Sequence, residues 1–213
     1  MTFRNRIPLA VVLGTALSLA LLVAPATAAP GATTDLAVLA TPAIPDISLV
    51  DQNGKKIHFY SDLIQGKVVA VNFVFTTCST ICTPQGARFA ELRKLLGDQA
   101  GRDVHLISVS IDPQSDTPAK LKAWSEKLGA GPGWTLVTGE KDEVVRLLKS
   151  LGAFDVDIKR HTPSLLLGND RDKRWTRAYS LAPAAQLAGL LEGLRDGLRD
   201  KPPGLKTPPK EGK

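Results

Sequence analysis

Residues 68–96 read VVAVNFVFTTCSTICTPQGARFAELRKLL, and this stretch carries the strand-to-helix unit that decides the fold. Its first part, Val68–Phe75, is apolar and rich in β-branched residues, a pattern that predicts a buried parallel strand. Thr83 and Pro84 then predict a helix start, with the threonine at the cap and the proline at the first helical position. Apolar residues recur at helical spacing as far as Leu96, so the helix has one face for the core.

The only two cysteines of the 213-residue chain, Cys78 and Cys82, lie at this strand-to-helix junction. The positive end of a helix dipole lowers a thiol pKa and favours the thiolate. Two helical residues at this spacing would hold their Cβ atoms about 5–6 Å apart, whereas a disulfide needs roughly 3.5–4.5 Å. A relaxed bridge therefore requires Cys78 to leave helical geometry. Two thiolates also suit a soft ion such as Cu(I), and a buried or bridged pair without chemistry is the third interpretation.

The composition argues against a nucleic-acid-binding protein. The formal net charge is +6, but Arg4 and Arg6 belong to an N-terminal targeting pattern, which leaves 25 of the 27 basic residues against 21 acidic ones. The sequence contains no basic patch interleaved with aromatic residues and no glycine loop of the kind that binds phosphate.

Residues 1–28 have a basic start, an apolar run at Ile7–Val23 and a final small-residue A-x-A pattern, which predict a secretory signal peptide cleaved after Ala28. An uncleaved membrane anchor is the competing interpretation, because the run is borderline in length for a span. Both predict a periplasmic or other extracytoplasmic domain, where disulfides are allowed. Residues 29–42 are predicted to be a linker, and the Pro/Lys-rich residues 201–213 a disordered tail.

The remaining elements alternate between strands and helices. Asn53-Gly54 predicts a β-hairpin near the start of the domain. Further strands are predicted at Val104–Ile111, Trp134–Val137, Ser164–Leu167 and Arg174–Ser180, and helices at Thr117–Leu128, Glu140–Leu151 and Pro183–Leu198. This order predicts an α/β fold with helices on both faces of the sheet and a crevice at the carboxyl end of the first internal strand, where the cysteines lie.

The three histidines differ in their predicted surroundings. His58 alternates with apolar residues in the hairpin and is expected to face solvent, and His105 starts an internal strand away from the crevice. His161 instead precedes Thr162-Pro163 and then an apolar strand.

Two aspartates follow the second internal strand on the crevice side, Asp112 and Asp116. They are interpreted as a turn at Asp112 and a helix cap at Asp116 or Thr117. The alternative interpretation places them on a rim that docks a partner.

On these residues the chain resembles the Sco/SenC family of thioredoxin-like proteins, which assist copper-site assembly in cytochrome c oxidase. The resemblance rests on VVAVNFVFTTCSTIC, on ISVSIDPQSDTPAKLKAW and on the late His161 before LLLGND, and it extends over roughly residues 43–200. It implies a thioredoxin-like domain over that range, with an N-terminal β-hairpin and a central mixed sheet flanked by helices. In such folds a proline at the position of Pro163 is typically cis and faces the cysteine motif.

The resemblance also implies a copper site, Cu(I) or Cu(II), formed by Cys78, Cys82 and His161. The implied function is an exported metallochaperone whose partners are the copper-acceptor subunit of an oxidase and a periplasmic copper donor. The alternative is a thiol-disulfide oxidoreductase that keeps the acceptor cysteines reduced, with Cys78 as nucleophile and Cys82 as resolving thiol. A peroxiredoxin-like peroxidase is a third hypothesis, for which Thr77 or Thr80 alone is too little support.

Overall fold

The computed structural model describes residues 39–158 and 162–197. Among them are seven strands, β1 Ser48–Asp51, β2 Lys56–His58, β3 Val68–Val74, β4 Val104–Ser110, β5 Trp134–Thr138, β6 Ser164–Asn169 and β7 Arg174–Tyr179. The four α-helices are α1 Cys82–Leu96, α2 Pro118–Lys127, α3 Lys141–Ser150 and α4 Ala184–Arg195. The described residues also include a π-helical turn at Phe59–Ile64 and a 3₁₀ turn at Gly97–Gln99.

The strands form one mixed sheet in the order β2-β1-β5-β4-β3-β6-β7. β3, β4 and β5 are parallel neighbours, whereas β6 pairs antiparallel with β3, and β1 antiparallel with β5. All seven residues of β3 are buried, which confirms the predicted internal strand. The carboxyl ends of β3 and β4 therefore meet at the same edge of the sheet, and the cysteine loop begins there.

Each face of the sheet has its own hydrophobic core. Along β3, Val69, Val71 and Phe73 belong to the core that α3 covers, while Val68 and Ala70 belong to the core that α1, α2 and α4 cover. This alternation is the period of two that a strand imposes on its side chains. The cysteine pair lies on the α3 side, because Cys82 belongs to that core and Cys78 packs against it.

Two local predictions are confirmed in detail. The hairpin between β1 and β2 turns at Asn53-Gly54, where the Asp51 carboxylate accepts from the backbone N–H groups of Asn53 and Lys55 at 2.8 and 2.9 Å. Helix α2 begins at Pro118, and the Thr117 hydroxyl accepts from the N–H of Lys120 at 3.3 Å. Both are side-chain contacts within a few residues, which sequence patterns identify well.

Two other predictions are wrong. Helix α1 begins at Cys82 and is preceded by Ile81, so Thr83 is inside the first turn rather than at the cap. Pro84 is still tolerated, because the first N–H groups of a helix have no intrahelical partner.

The second prediction is the cis peptide bond before Pro163. No peptide bond of the described residues is cis, and this includes the bond between Thr162 and Pro163.

Strand β6 extends two residues beyond its predicted end, because Gly168 pairs with Trp175 of β7. The indole of Trp175 covers Gly168 so closely that a Cβ atom there would lie 2.2 Å from the ring.

The end of the predicted linker contacts the sheet. The backbone N–H of Leu39 donates to the carbonyl of Trp175 in β7 at 2.8 Å.

Several predicted features lie outside the described residues: the signal peptide or anchor at 1–28, most of the linker at 29–42, His161 and the tail at 201–213. In the described part of the chain, none of the helices has the length and apolar character needed to cross a bilayer.

Candidate functional site

The cysteines flank the start of α1, at the carboxyl edge of β3. Cys78 lies in the loop between the two elements, and its N–H donates to the carbonyl of Phe75 at 3.3 Å. Cys82 is the first residue of the helix and is fully buried, whereas Cys78 is half-buried. Both are free thiols. The predicted position at the strand-to-helix junction is therefore confirmed, and Cys78 lies outside the helix.

The sulfur of Cys78 points to the amino end of α1. The backbone N–H of Cys82 donates to the Cys78 Sγ at 3.4 Å, and the Thr80 Oγ1 lies 3.7 Å from the same sulfur. Hydrogen bonds to a sulfur and the positive end of a helix dipole both favour its ionised form. The loop geometry thus prepares Cys78, and not Cys82, to be a thiolate.

The two thiols consequently differ in acidity. Burial raises the pKa of Cys78, but hydrogen bonds from the thiol and N–H of Cys82 and from Thr80 outweigh burial and lower that pKa to about 7. Burial, followed by the hydrogen bond with Cys78, raises the pKa of Cys82 to about 12. As pH rises through about 7 the pair therefore gains its first negative charge, and that charge resides on Cys78.

Asp116 is a buried residue whose role the sequence analysis missed. Its carboxylate accepts from the N–H and hydroxyl of Thr76 at 3.1 and 2.5 Å, and from the hydroxyl of Ser110 at 2.7 Å. Asp116 is therefore not the helix cap, a position that Thr117 occupies. Since Thr76 begins the loop that carries Cys78, the carboxylate ties that loop to the end of β4. The sequence feature that could have identified Asp116 is its position shortly after β4, the strand that pairs with β3.

Asp112 lies in the turn that follows β4, as predicted. Its carbonyl and its carboxylate both accept from the N–H of Ser115, at 3.1 and 3.3 Å.

Gln85, in the first turns of α1, forms a second connection that the sequence analysis missed. Its buried side-chain Nε2 donates to the hydroxyl of Ser180 at 2.6 Å, and the N–H of Ser180 donates to the carbonyl of Pro163 at 3.0 Å. The cysteine helix is thereby joined to the start of β6. No local pattern indicates this contact, because 95 residues separate Gln85 from Ser180.

The histidines are distributed as follows. His58 is exposed on β2, as predicted. His105 lies at the amino end of β4, opposite Val69 and away from the cysteines, and its burial, together with the charge of Lys67, lowers its pKa. His161 lies outside the described residues, so its role as a ligand stays a prediction. In the part of the chain that the structure describes, no three His, Cys, Asp or Glu side chains are grouped as metal ligands.

Comparison with known proteins gives one consistent result. The family model described as SCO1/SenC matches residues 39–180, more than half of the chain. The SCO1 protein homolog of Bacillus subtilis is 36% identical over 107 residues, which cover 49% of this chain and 54% of that protein. The chain thus spans about half the length of the curated relatives it matches.

Solved structures agree with the family match. Bradyrhizobium japonicum ScoI with copper bound is 26% identical, with a TM-score of 0.60 over 71% of this chain and 99% of that one. BsSco, described as a member of the Sco family of cytochrome c oxidase assembly proteins with a disulfide switch, is 26% identical, with a TM-score of 0.61 over 74% and 98%.

The mixed sheet with helices on both faces is the thioredoxin-like arrangement of these structures, which confirms the predicted fold class. The residues matched by the family model include both cysteines, the Asp112–Asp116 segment and β6, which are the elements that build the site. The chain belongs to the SCO1/SenC family.

Proposed function

We propose that this protein is an exported copper chaperone that helps to assemble a copper site of a respiratory cytochrome c oxidase. The observation that carries the proposal is the pair of free thiols at the start of α1, one half-buried and one buried. It is supported by the copper bound to ScoI of Bradyrhizobium japonicum and by the description of BsSco as a member of a family of oxidase assembly proteins. The N-terminal pattern supports export to the periplasm, with the segment either cleaved or kept as an anchor.

The donor set fits copper as a cargo. Two soft sulfur ligands select Cu(I) over harder ions, and the low pKa of Cys78 means that the metal displaces a proton from that thiol easily. We assign His161 as the third ligand, because it lies two residues before Pro163, which Ser180 and Gln85 connect to the cysteine helix. Three ligands leave a coordination position open for the acceptor, whereas a structural zinc site would need a fourth.

The test is a titration of the reduced mature chain, from Ala29 onward, with Cu(I) under a competing chelator, followed by Cu(II) with detection of thiolate charge-transfer absorption. One equivalent is expected, lost in Cys78→Ser and in Cys82→Ser and weakened in His161→Ala. His58→Ala is the matched control, because that imidazole is exposed on β2. Retention of copper by Cys78→Ser would rule out the two-thiolate site, and unchanged affinity in His161→Ala would remove that residue from the ligand set.

A thiol-disulfide oxidoreductase is the second candidate, favoured by the unequal acidity of the two thiols. The Cys78 thiolate would attack a disulfide of the acceptor, form a mixed disulfide and release one acceptor thiolate. The Cys82 thiol would then pass its proton to the acceptor thiolate already released, attack the Cys78 sulfur and release the second acceptor sulfur as a thiolate. Two electrons pass to the acceptor, and this protein keeps the Cys78–Cys82 disulfide.

A single-turnover experiment separates the two candidates. The reduced, copper-free protein is mixed with an oxidised acceptor peptide that contains two cysteines, and the products are trapped with acid. Rapid transfer in the wild type, with a mixed disulfide accumulating in Cys82→Ser, would support the oxidoreductase. Slow exchange, at the rate of a free dithiol of the same pKa, would leave copper delivery as the function.

A further inference from the structure

A groove of about 600 Å³ lies between the carboxyl end of β4, helix α3 and residues 153–158. Its apolar lining comes from side chains of these three elements. The members of this lining that are buried in the α3-side core are Ile111, Val144, Leu148 and Ala153.

The groove lining and the cysteines contact the same hydrophobic core. Cys82 belongs to the same core as the groove lining, and Cys78 packs against that core. The backbone also connects them, because the N–H of Ile111 donates to the carbonyl of Val74, the last residue of β3, at 2.9 Å. The groove therefore lies at the same edge of the sheet as the loop that carries the half-buried Cys78.

Apolar side chains are exposed along the outer wall of the groove. Phe154 is 40% exposed and Val156 is 92% exposed, although both are large hydrophobic residues in a short loop. Isolated apolar residues on a surface are ordinary, but exposed apolar residues that border an apolar groove indicate a contact surface.

The rim of the groove is acidic. Among the described residues that line it are Asp112, Asp142 and Asp155, against the single basic lining residue Lys141. The ammonium group of Lys149 lies outside this lining, 5.1 Å from the centre of the Phe154 ring. Among the described residues, the carboxylates of Asp112, Asp142 and Asp155 form no ion pair. The whole chain has a formal net charge of +6, so this excess of carboxylates is local.

We propose that this groove docks the protein partner that meets Cys78, and that the partner inserts an apolar side chain flanked by lysine or arginine residues. The inference rests on the proposed function for the existence of such a partner, and adds its chemistry and its place of contact. The apolar lining supplies the buried anchor contact, while the carboxylates attract the basic flanks and set their orientation.

The charges also disfavour two other occupants. A second copy of this chain that packed the same face against the groove would bring an identical acidic rim against the first, and like charges across an interface cost free energy. An anionic membrane surface would be repelled for the same reason.

The test uses two short peptides, each with a central leucine and phenylalanine, one flanked by lysines and the other by glutamates. Each is titrated into the ¹⁵N-labelled, reduced chain from Ala29 at low salt. The lysine peptide is expected to shift the amide signals of Phe154, Val156 and Val145, with binding that weakens as salt is added. The glutamate peptide is expected to leave them in place.

The double substitution Asp142→Asn and Asp155→Asn should weaken binding of the lysine peptide about tenfold, since it removes two rim charges. The matched control, Asp98→Asn with Glu126→Gln, changes the net charge equally at exposed positions away from the groove and should leave binding unchanged.

The proposal is overturned by three results: no shifts with the lysine peptide, equal binding of the glutamate peptide, or shifts outside the groove. Concentration-dependent shifts of the same amides without peptide would assign the face to a second copy and would also overturn it. Copper titration of the Asp142→Asn/Asp155→Asn variant should match the wild type. A wild type that fails to retain copper would contradict the chaperone proposal alone, because peptide docking is measured without metal.

Discussion

At the scale of the residue, the two cysteines show how position changes the chemistry of one side-chain type. The Cys78 sulfur receives the N–H of Cys82 at the start of a helix, whereas the Cys82 sulfur is enclosed in the core. Their pKa values of about 7 and about 12 lie on opposite sides of the ordinary value of 9.0. Thiol exchange requires a nucleophilic thiol with a pKa near ambient pH and a resolving thiol that stays protonated. Cys78 and Cys82 match these two roles.

The first prediction concerns the reactivity of Cys78 in the reduced, metal-free protein. Its rate of alkylation by iodoacetamide should rise with pH through a midpoint near 7, because only the thiolate reacts. The variant Cys82→Ala should move the midpoint upward, since it removes the hydrogen bond from the Cys82 thiol. A wild-type midpoint near the ordinary value would show that the loop does not stabilise the thiolate.

The same two pKa shifts determine how the free energy of unfolding changes with pH. The pKa of Cys78 is lower in the folded than in the unfolded chain, so ionisation of this thiol stabilises the folded state. This contribution to the free energy of unfolding is complete above about pH 9 and is lost as pH falls through about 7. The folded pKa of Cys82 lies above its unfolded value, so stability is lost between about pH 9 and 12, where only the unfolded chain ionises this thiol.

At the scale of the elements, buried polar contacts hold the cysteine loop between β3, β4 and the helices. The Asp116 carboxylate joins Thr76 and Ser110, and Gln85 joins Ser180. Each contact connects elements that are distant in sequence, so each one sets the position of the loop relative to the sheet. These contacts lead to two further predictions.

Replacing Asp116 with alanine should lower the free energy of unfolding by about 1–3 kcal/mol, because the buried donors of Thr76 and Ser110 lose their acceptor. Chemical denaturation measures the change. Asp112→Asn is the control, since an asparagine oxygen can still accept from the N–H of Ser115. Equal stability of Asp116→Ala and the wild type would mean that water replaces the carboxylate without cost.

Replacing Gln85 with alanine should weaken Cu(I) binding about tenfold while the alkylation midpoint of Cys78 stays near 7. The substitution breaks the connection from α1 through Ser180 to Pro163, and leaves the contacts of the Cys78 sulfur intact. Chelator competition measures the affinity, with the exposed Gln65→Ala as control. Unchanged affinity would show that the start of β6 plays no part in holding copper.

At the scale of the whole molecule, the site lies at one edge of a sheet that separates two cores. The cysteines and the groove lie on the α3 side, while α1, α2 and α4 cover the other face. Packing far from the site on the second face should therefore contribute to global stability with little effect on the chemistry of Cys78.

Leu191 tests this separation, because it is fully buried in α4 on the second face. Leu191→Ala should cost about 2–5 kcal/mol of unfolding free energy through lost burial and a residual cavity. Unfolding should stay a single cooperative transition, and the alkylation midpoint of Cys78 should not move. A shifted midpoint would show that the two faces are coupled through the sheet.

Much of the fold could be predicted because the relevant interactions are short in sequence. The apolar run of β3, the Asn53-Gly54 hairpin and the Thr117-Pro118 helix start each depend on neighbours within a few residues. Local preferences and hydrophobic periodicity act over that same range. The predicted start of α1 at Pro84 lies two residues after the observed start at Cys82, because the preceding loop and not Thr83 determines where helical geometry begins.

Patterns in the sequence were enough to predict the class of the fold, the junction that holds Cys78 and Cys82, and the resemblance to a copper-binding family. The packed structure was needed to identify the more acidic cysteine, the carboxylate that holds the loop and the position of the groove. Asp116 meets Thr76 across 40 residues, and Gln85 meets Ser180 across 95. Contacts at such separations form only when the sheet and helices have packed, because no local pattern carries the geometry that brings them together.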